Sequence, residues 1–253
     1  MQTLNATLGC FPGRSSLRAM EIIHQSPNDF SDPVLGKIGV DHVQLCPQNC
    51  IAQVDERLIA NLQASYPETQ FRMHANVKVL NKHIPSADLS SFKRYQAYFK
   101  RLSALSMQLN APAYTLHAGR RANARWPQLL AYRDQLEQLM GVPVGIEGHY
   151  PTPQREHFYW LDSWLEYQQL LEANVPYALD LSHLNIVAHY EGTIPMALVQ
   201  ELLNSENCIE VHVSGNQGDK DSHQRLTEKA WWMPLLEASV NSEAVFFYEG
   251  IFR

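Results

Sequence analysis

Long apolar runs are missing from this 253-residue chain. No stretch approaches the roughly 18 consecutive apolar residues that a membrane-spanning helix needs. The first residues, MQTLNATLGCF, also lack the charged start and the apolar core of a secretory signal peptide. We therefore expect a cytoplasmic protein that does not cross a membrane.

Cysteine and positive charge are scarce as well. The chain has four cysteines, Cys10, Cys46, Cys50 and Cys208. They are too few and too scattered for a disulfide framework, so we expect them to be reduced. The formal net charge of −6 excludes a protein that binds nucleic acid through a generally cationic surface, and DNA binding would need a local basic patch. The composition gives no indication of the oligomeric state.

A glycine-rich phosphate loop is also absent, which bears on the fold. An open, doubly wound sheet would carry GxGxxG after its first strand, whereas this position reads GCFPGRSS. Eight β-rich runs occur instead, at residues 3–10, 39–46, 70–74, 113–117, 142–147, 175–180, 208–213 and 244–249. Helical spacing separates them, at residues 15–25, 54–64, 91–109, 126–140, 158–173, 194–203 and 226–238. This alternation predicts an α/β protein, a single-domain (β/α)8 TIM barrel over residues 1–253.

Imidazole and carboxylate side chains are present wherever a predicted strand from the third onwards ends. They are His74, His117, Glu147, Asp180, His183, His212, Asp221, His223 and Glu249. The C-terminal ends of barrel strands meet at one face of the fold and build its active site. Asp221 and His223 form a D-x-H pair, which in extended geometry sends both side chains the same way. Because these side chains are ligands for divalent cations, the set predicts a metal centre.

The number of candidate ligands indicates how many ions the centre holds. A four-coordinate zinc ion takes about four protein ligands at most, so nine exceed one ion and suit two or three. Glu147, Asp180, His212 and Glu249 would form one site, and His74 with His117 a second that shares Glu147. The remaining three residues, His183, Asp221 and His223, would form a third. Zinc is the metal expected first, and iron or manganese would also suit these ligands.

The order of the nine residues resembles the trinuclear zinc site of the endonuclease IV family, within the xylose isomerase-like barrel superfamily. That pattern runs His, His, Glu, Asp-x-x-His, His, Asp-x-His, Glu, and here it covers the third to the eighth strand. The sequence departs from it after His74, where Ala75-Asn76-Val77 replaces the family's proline and tyrosine. The resemblance implies hydrolysis of a phosphoester in a zinc-dependent barrel.

Two further resemblances imply other chemistry. The runs ALDLSHLNIVAHYEG, IEVHVSGNQGDKDSHQ and AWWMPLLEA are similar to multinuclear iron-dependent oxidases that modify cysteine-containing peptides. The sugar isomerases and epimerases of the same superfamily need only a tetrad around one divalent ion. That tetrad would be Glu147, Asp180, His212 and Glu249.

Catalytic and substrate-binding residues follow from these alternatives. In phosphoester hydrolysis, the leading alternative, clustered ions would generate hydroxide and Glu147 would orient or deprotonate that water. In isomerisation, Glu147 and Glu249 would act as the acid–base pair. Arg120 and Arg121 follow the fourth strand and could bind phosphate, and His149 could contact a phosphoester or another small substrate. A metal-binding barrel without catalysis is the non-enzymatic alternative.

Overall fold

Eight parallel strands form a nearly closed barrel. The computed structural model describes residues 3–152, 157–238 and 240–252. In chain order the strands are β1 (Leu4–Thr7), β2 (Gly39–Leu45), β3 (Gln70–Met73), β4 (Tyr114–His117), β5 (Val144–Glu147), β6 (Tyr177–Asp180), β7 (Cys208–Val213) and β8 (Val245–Tyr248). Each lies within one of the predicted β-rich runs, and the predicted α/β TIM barrel is confirmed.

The pairing of the strands closes the sheet on itself. β1 pairs with β2 on one side and with β8 on the other, where Leu4 lies opposite Phe246. Pairing continues from β8 through β7, β6 and β5 to β4, and from β2 to β3. β3 and β4 meet at an isolated bridge between His74 and Thr115, beside which the Ala75 amide donates to the Thr115 carbonyl at 2.8 Å. A first strand hydrogen-bonded to the last one excludes the open, doubly wound sheet.

Helices connect the strands around the outside of the barrel. They are α1 (Ser16–Gln25), α2 (Glu56–Ser65), α3 (Gln96–Gln108), α4 (Trp126–Met140), α5 (Trp164–Glu172), α6 (Leu181–Glu191), α7 (Met196–Asn204) and α8 (Met233–Ala238). Side-chain caps fix some starts: Ser15 accepts from the Arg18 amide and Asp55 from the Leu58 amide. None of the described helices combines the length and the apolar character that a membrane span needs.

The predicted helices differ most from the structure in three places. α6 was not predicted, because its polar first turn, LSH, looks like a loop after β6. The helix predicted over 158–173 begins only at Trp164, since the backbone before it pairs with the loop after β4: Trp160 donates to Gly119 at 3.0 Å. The helix predicted over 226–238 begins only at Met233. There the Leu226 amide donates to the side chain of Asp32 at 3.0 Å, which holds that residue outside any helix.

Polar side chains line the barrel interior directly beneath the strand ends. Gln44, Arg72, Thr115 and Glu210 come from four different strands and are all buried. Arg72, Thr115 and Glu210 each precede a candidate ligand by two positions; Glu210, for example, precedes His212. Because side chains two residues apart on a strand face the same side, this polar layer lies under the candidate ligands.

Asp32 joins a short hairpin to the barrel. The hairpin pairs Ser31–Asp32 with Gly36–Lys37 in antiparallel fashion. Asp32 is 2% exposed, and its Oδ2 accepts from the Tyr248 hydroxyl at 2.6 Å and from the Leu226 amide at 3.0 Å. Its Oδ1 accepts from two amides of the hairpin turn. One buried carboxylate therefore satisfies donors from three separate segments.

Replacing this carboxylate is expected to destabilise the whole barrel. Asp32→Ala leaves the buried donors without an acceptor, and we expect it to lower the free energy of unfolding by about 3 kcal/mol. Tyr248→Phe removes one of the bonds and should cost about 1 kcal/mol. Urea denaturation followed by circular dichroism measures both. The exposed neighbour Asp29→Ala is the control, and an Asp32→Ala effect as small as that of the control would contradict the assignment.

Candidate metal centre

The structure brings the nine candidate ligands into one connected cluster at the C-terminal end of the barrel. Each has a ring nitrogen or a carboxylate oxygen between 2.8 and 3.8 Å from another member. They are His74, His117, Glu147, Asp180, His183, His212, Asp221, His223 and Glu249. Residues from six strands and their loops therefore share one site, and their role as ligands stays a prediction.

Glu147, the last residue of β5, lies at the middle of the cluster. Its Oε2 is 3.3 Å from His74 Nε2, and its Oε1 is 3.6 Å from His117 Nε2 and 3.5 Å from His212 Nδ1. The residue is 1% exposed, and its Oε2 has no hydrogen-bond partner among the described residues. A single carboxylate that faces imidazoles from three strands has the position of a bridging ligand.

A second group of contacts surrounds Asp221. The Oδ2 atom of Asp221 lies 2.8 Å from His223 Nε2 and 3.4 Å from His183 Nε2. Glu249 connects this group with the first, because its carboxylate lies 3.6 Å from His223 Nδ1 and 3.8 Å from His212 Nδ1. The contacts of Asp221 therefore join His183, Asp221 and His223, the three residues predicted to form a third metal site.

Asp180, the last residue of β6, caps helix α6 and also belongs to the cluster. Its Oδ1 accepts from the amides of Ser182 and His183 at 2.7 and 3.2 Å, as the N-cap of a helix does. Its Oδ2 is buried, has no hydrogen-bond partner in the described part of the chain, and lies 3.2 Å from His183 Nε2. The first turn of α6 therefore fixes Asp180 and His183 relative to each other, where the sequence predicted a loop.

The D-x-H pair converges by a different backbone path from the expected one. The segment is not extended, because His223 has a φ of 44°, in the left-handed region that residues other than glycine seldom adopt. Its carbonyl accepts from the Ile251 amide at 2.8 Å, and the neighbouring Gln224 pairs with Gly215. This backbone strain lies at the cluster, as strain often does at functional sites.

The distances within the cluster suit metal ligation better than direct hydrogen bonding. Two ligands about 2.1 Å from one ion at a tetrahedral angle lie about 3.4 Å apart, close to most of the separations seen. Three overlapping groups have ligand atoms within 4.8 Å of one another: His74, His117 and Glu147; His74, His212 and Glu249; Glu147, Asp180 and His212. The first and the third fall within the predicted partition, whereas the second cuts across it. Buried atoms that have no hydrogen-bond partner among the residues the structure describes, such as His212 Nδ1, fit the same interpretation.

The charges of the cluster also favour cations. Four of the nine side chains are carboxylates, three of them nearly fully buried, and burying unpaired carboxylates is costly. Burial disfavours the charged form of His183, but Asp180 and Asp221 outweigh it and raise the pKa of His183 to about 10. Burial raises the pKa of Glu249 to about 7. Protons thus compensate part of the negative charge, and two divalent cations would balance all of it.

The predicted substrate-binding residues lie in different surroundings. The Arg121 guanidinium pairs with Asp162 at 2.7 Å and with Glu166, and it stacks on the Trp160 ring. These contacts hold α5 and the segment before it. Arg120 is exposed, with its guanidinium over a phenylalanine ring. A role for either arginine in substrate binding stays a prediction.

His149 lies at the edge of the cluster. Its ring stacks between those of His117 and Tyr159, with centroids 4.6 and 4.1 Å apart. Burial lowers the pKa of His149 well below its usual value, and its buried Nε2 has no hydrogen-bond partner within residues 3–152, 157–238 and 240–252. A neutral imidazole with an unused nitrogen can accept or donate a hydrogen bond to a substrate.

The polar layer below the cluster was missed by the sequence reasoning. Thr115 lies 3.0 Å from His74 Nδ1, and Glu210 lies 3.1 Å from His212 Nε2. Arg72 pairs with Glu210 at 2.7 Å. The signal was present, since a polar residue two positions before a predicted ligand on a buried strand must face the same interior.

Removing the shared carboxylate is expected to remove metal. Glu147→Gln takes away the one group that contacts imidazoles from β3, β4 and β7, so the bound metal should fall by about one ion per chain or more. Elemental analysis of the purified variant, with circular dichroism to establish folding, measures this. The matched control is Glu237→Gln, an exposed carboxylate in α8. Equal metal content in both variants would contradict the assignment of Glu147.

Comparisons with known proteins agree on the fold. No protein-family model and no curated protein matches this chain by sequence. A D-tagatose 3-epimerase-like protein is similar in structure, with a TM-score of 0.66 and 15% identity, covering 99% of this chain and 92% of its own. An IolI protein with a bound zinc atom has a TM-score of 0.62 and 12% identity, covering 98% of this chain and 88% of its own.

An endonuclease is also among the similar structures. An AP endonuclease, family 2, from Brucella melitensis has a TM-score of 0.61 and 13% identity, covering 98% of this chain and 93% of its own. The similar structures thus include both an epimerase-like protein and an endonuclease. At these identities the likeness concerns the fold alone. The chain therefore shares a (β/α)8 barrel fold with these three structures.

Proposed function

We propose that this protein is a metal-dependent enzyme with two or three divalent ions at the C-terminal face of its barrel, and that it hydrolyses a phosphoester. The observation that carries the proposal is the position of Glu147, whose carboxylate faces His74, His117 and His212 from three strands. A single-ion site would need only the tetrad of Glu147, Asp180, His212 and Glu249. The other candidate ligands, His74 and His117 among them, would then have no role.

The donor set fits zinc or iron. Histidine nitrogens and carboxylate oxygens suit both metals. His74, His117 and Glu147 would hold one ion. Glu147, Asp180, His212 and Glu249 would hold another, and His183, Asp221 and His223 a third. Clustered divalent ions supply Lewis acidity towards a phosphoester and acidify bound water.

The protein's own residues would position the reactants. Glu147 and Glu249 would exchange protons with water and substrate, because both carboxylates face His212 within the cluster. His149 offers an unpaired buried Nε2 at the rim. Arg120, exposed at the end of β4, would attract a phosphate by its charge. Arg121 holds two carboxylates of its own and would contribute through the stability of this rim.

A second candidate function is oxidation of a peptide by a multinuclear iron centre. The three runs that resemble such oxidases pack together into one wall of the site. Asn185 of α6 donates to Asn216 Oδ1 at 2.9 Å and accepts from Trp231 Nε1 at 2.9 Å, and Asn216 donates to the Ser182 carbonyl at 2.7 Å. One amide therefore connects all three runs, which favours their acting as a unit.

The remaining alternatives account for less of the site. A sugar isomerase or epimerase would use Glu147, Asp180, His212 and Glu249 around one ion. It leaves the contacts of Asp221 with His183 and His223 unexplained. A metal-binding barrel without catalysis would have no need for so many ligands around an open site.

Metal content and substrate turnover together test the proposal. Protein purified without added metal, aerobically and anaerobically, is analysed for its elements and assayed with bis(p-nitrophenyl) phosphate. We expect about three zinc ions per chain and hydrolysis that is lost on chelation and restored by zinc. Two or three irons with oxygen-dependent change of a cysteine-containing peptide would establish the oxidase instead. One manganese per chain with sugar epimerisation, or metal without any turnover, would overturn both.

Arg121 provides a separate prediction about the rim of the site. Arg121→Met leaves Asp162 and Glu166 buried without their partner, so we expect the free energy of unfolding to fall by about 3 kcal/mol. We expect KM for a phosphoester to stay within about twofold, because the guanidinium is already occupied. Arg120→Met is the matched control and should change stability little. A raised KM at unchanged stability would instead make Arg121 a substrate ligand.

A further inference from the structure

The proposed chemistry gives no role to one buried carboxylate, that of Glu210 below the cluster. Glu210 is fully buried on β7 and faces the barrel interior. Its Oε2 accepts from Gln44 Nε2 and from the Thr115 hydroxyl, both at 2.7 Å, and lies 3.1 Å from His212 Nε2. Its Oε1 accepts from Arg72 at 2.7 Å. We infer that Glu210 is a positioning residue, which selects the ring nitrogen of His212 that faces the metal centre.

The first step concerns the hydrogen-bond donors that surround Glu210. An ionised carboxylate is purely an acceptor, and Glu210 is surrounded by the donors of Arg72, Gln44 and Thr115. Arg72 is buried as well, with its guanidinium over the Phe247 ring, and it balances the charge of Glu210. The carboxylate therefore adds no net charge to the site and remains an acceptor for one more donor.

The second step concerns the ring nitrogen nearest to Glu210. Nε2 of His212 can satisfy the carboxylate only by carrying a proton and donating it. The Gln44 amide nitrogen lies 3.2 Å from the same Nε2 and would favour the opposite arrangement, in which the ring accepts. The bond to the carboxylate prevails because charge-assisted hydrogen bonds are about twice as strong as neutral ones. The Gln44 amide is in any case already directed at Glu210.

The third step concerns the other nitrogen of the ring. With the proton on Nε2, the lone pair of the neutral imidazole is on Nδ1. This atom lies 3.5 Å from Glu147 and 3.8 Å from Glu249 and has no hydrogen-bond partner among the described residues. Glu210 thus directs the free lone pair towards the carboxylates, where a cation would bind. A hydrogen-bonded carboxylate also makes the imidazole a stronger ligand.

This inference rests on the proposed metal centre, and Glu210→Gln tests it. The amide can still accept from Arg72, but its NH2 group would face His212 Nε2, which must then accept. The proton moves to Nδ1 and occupies the lone pair that faces the centre. We expect the zinc affinity, measured by competition with a chelator, to fall by about tenfold to 100-fold. In spectra of 15N-histidine-labelled protein, the proton of His212 should move from Nε2 to Nδ1.

Two further variants separate positioning from general damage. Gln44→Met removes another donor from the same carboxylate oxygen and leaves the proton of His212 in place, so it should keep its zinc affinity within about twofold. Should Glu210→Gln unfold because Arg72 loses its partner, the double variant Arg72→Gln with Glu210→Gln removes both charges and should show the same proton shift.

The outcomes keep this inference apart from the proposed function. Zinc binding by the parent protein through His212 Nε2 would overturn the inference, and so would unchanged affinity in Glu210→Gln. Equal losses in Gln44→Met and Glu210→Gln would make the layer merely structural. If the parent protein binds no metal, the proposed function fails. The 15N spectra of the metal-free protein, recorded at a pH high enough for the His212 ring to be neutral, then still decide the inference, because they show whether Nε2 or Nδ1 carries the proton.

Discussion

The constraint on which the structure depends is the crowding of acidic groups at one end of the barrel. Glu147, Asp180 and Glu249 are buried, and each lies within 4 Å of a histidine of the cluster. Water cannot solvate them there, and the surrounding imidazoles can offset their charge only by taking up protons. Such an arrangement costs folding free energy unless cations occupy it, and the proposed metal centre would offset that cost.

Two layers of polar side chains in the barrel interior make this crowding possible. The upper layer holds the candidate ligands at the strand ends, and the lower layer, two residues earlier on the same strands, holds Arg72, Thr115 and Glu210. The lower layer is electrically balanced because Arg72 pairs with Glu210. Its hydrogen bonds orient rings above it without adding to the negative charge. His117, Glu147 and His212 are thus kept in position by strands, whereas Asp221 and His223 lie on the loop after β7.

Much of this could be predicted from the sequence because it depends on strand periodicity. Apolar runs that end in His or Glu mark both the strand and the direction of its last side chain, so β3, β4, β5 and β7 and their terminal groups were predicted correctly as parts of one face. The first turn of α6 could not be predicted, since Asp180 looks like a strand end and not like a helix cap. The cap becomes visible only when its oxygen is seen to accept two amides.

Other features depend on residues far apart in the chain. Arg121 follows a strand end, which is where a phosphate-binding residue would be expected. Its actual partners, Asp162 and Glu166, are some forty residues further on, and no local pattern shows that they return to it. The same holds for the pairing of Arg72 with Glu210 across the barrel. Periodicity predicts the direction of a side chain, but not which distant partner it meets.

The way the barrel closes implies that the metal-free and the metal-bound protein would differ in the stability of the pairing between β3 and β4. Among the described residues, β3 and β4 meet through the bridge at His74 and Thr115, the weakest seam of the sheet. His74 follows β3 and His117 ends β4. An ion held by both would therefore cross-link these two strands where their backbone pairing is shortest. Metal binding would then stabilise the closed barrel. When the ion leaves, the backbone amide hydrogens between β3 and β4 would be the first to exchange with solvent.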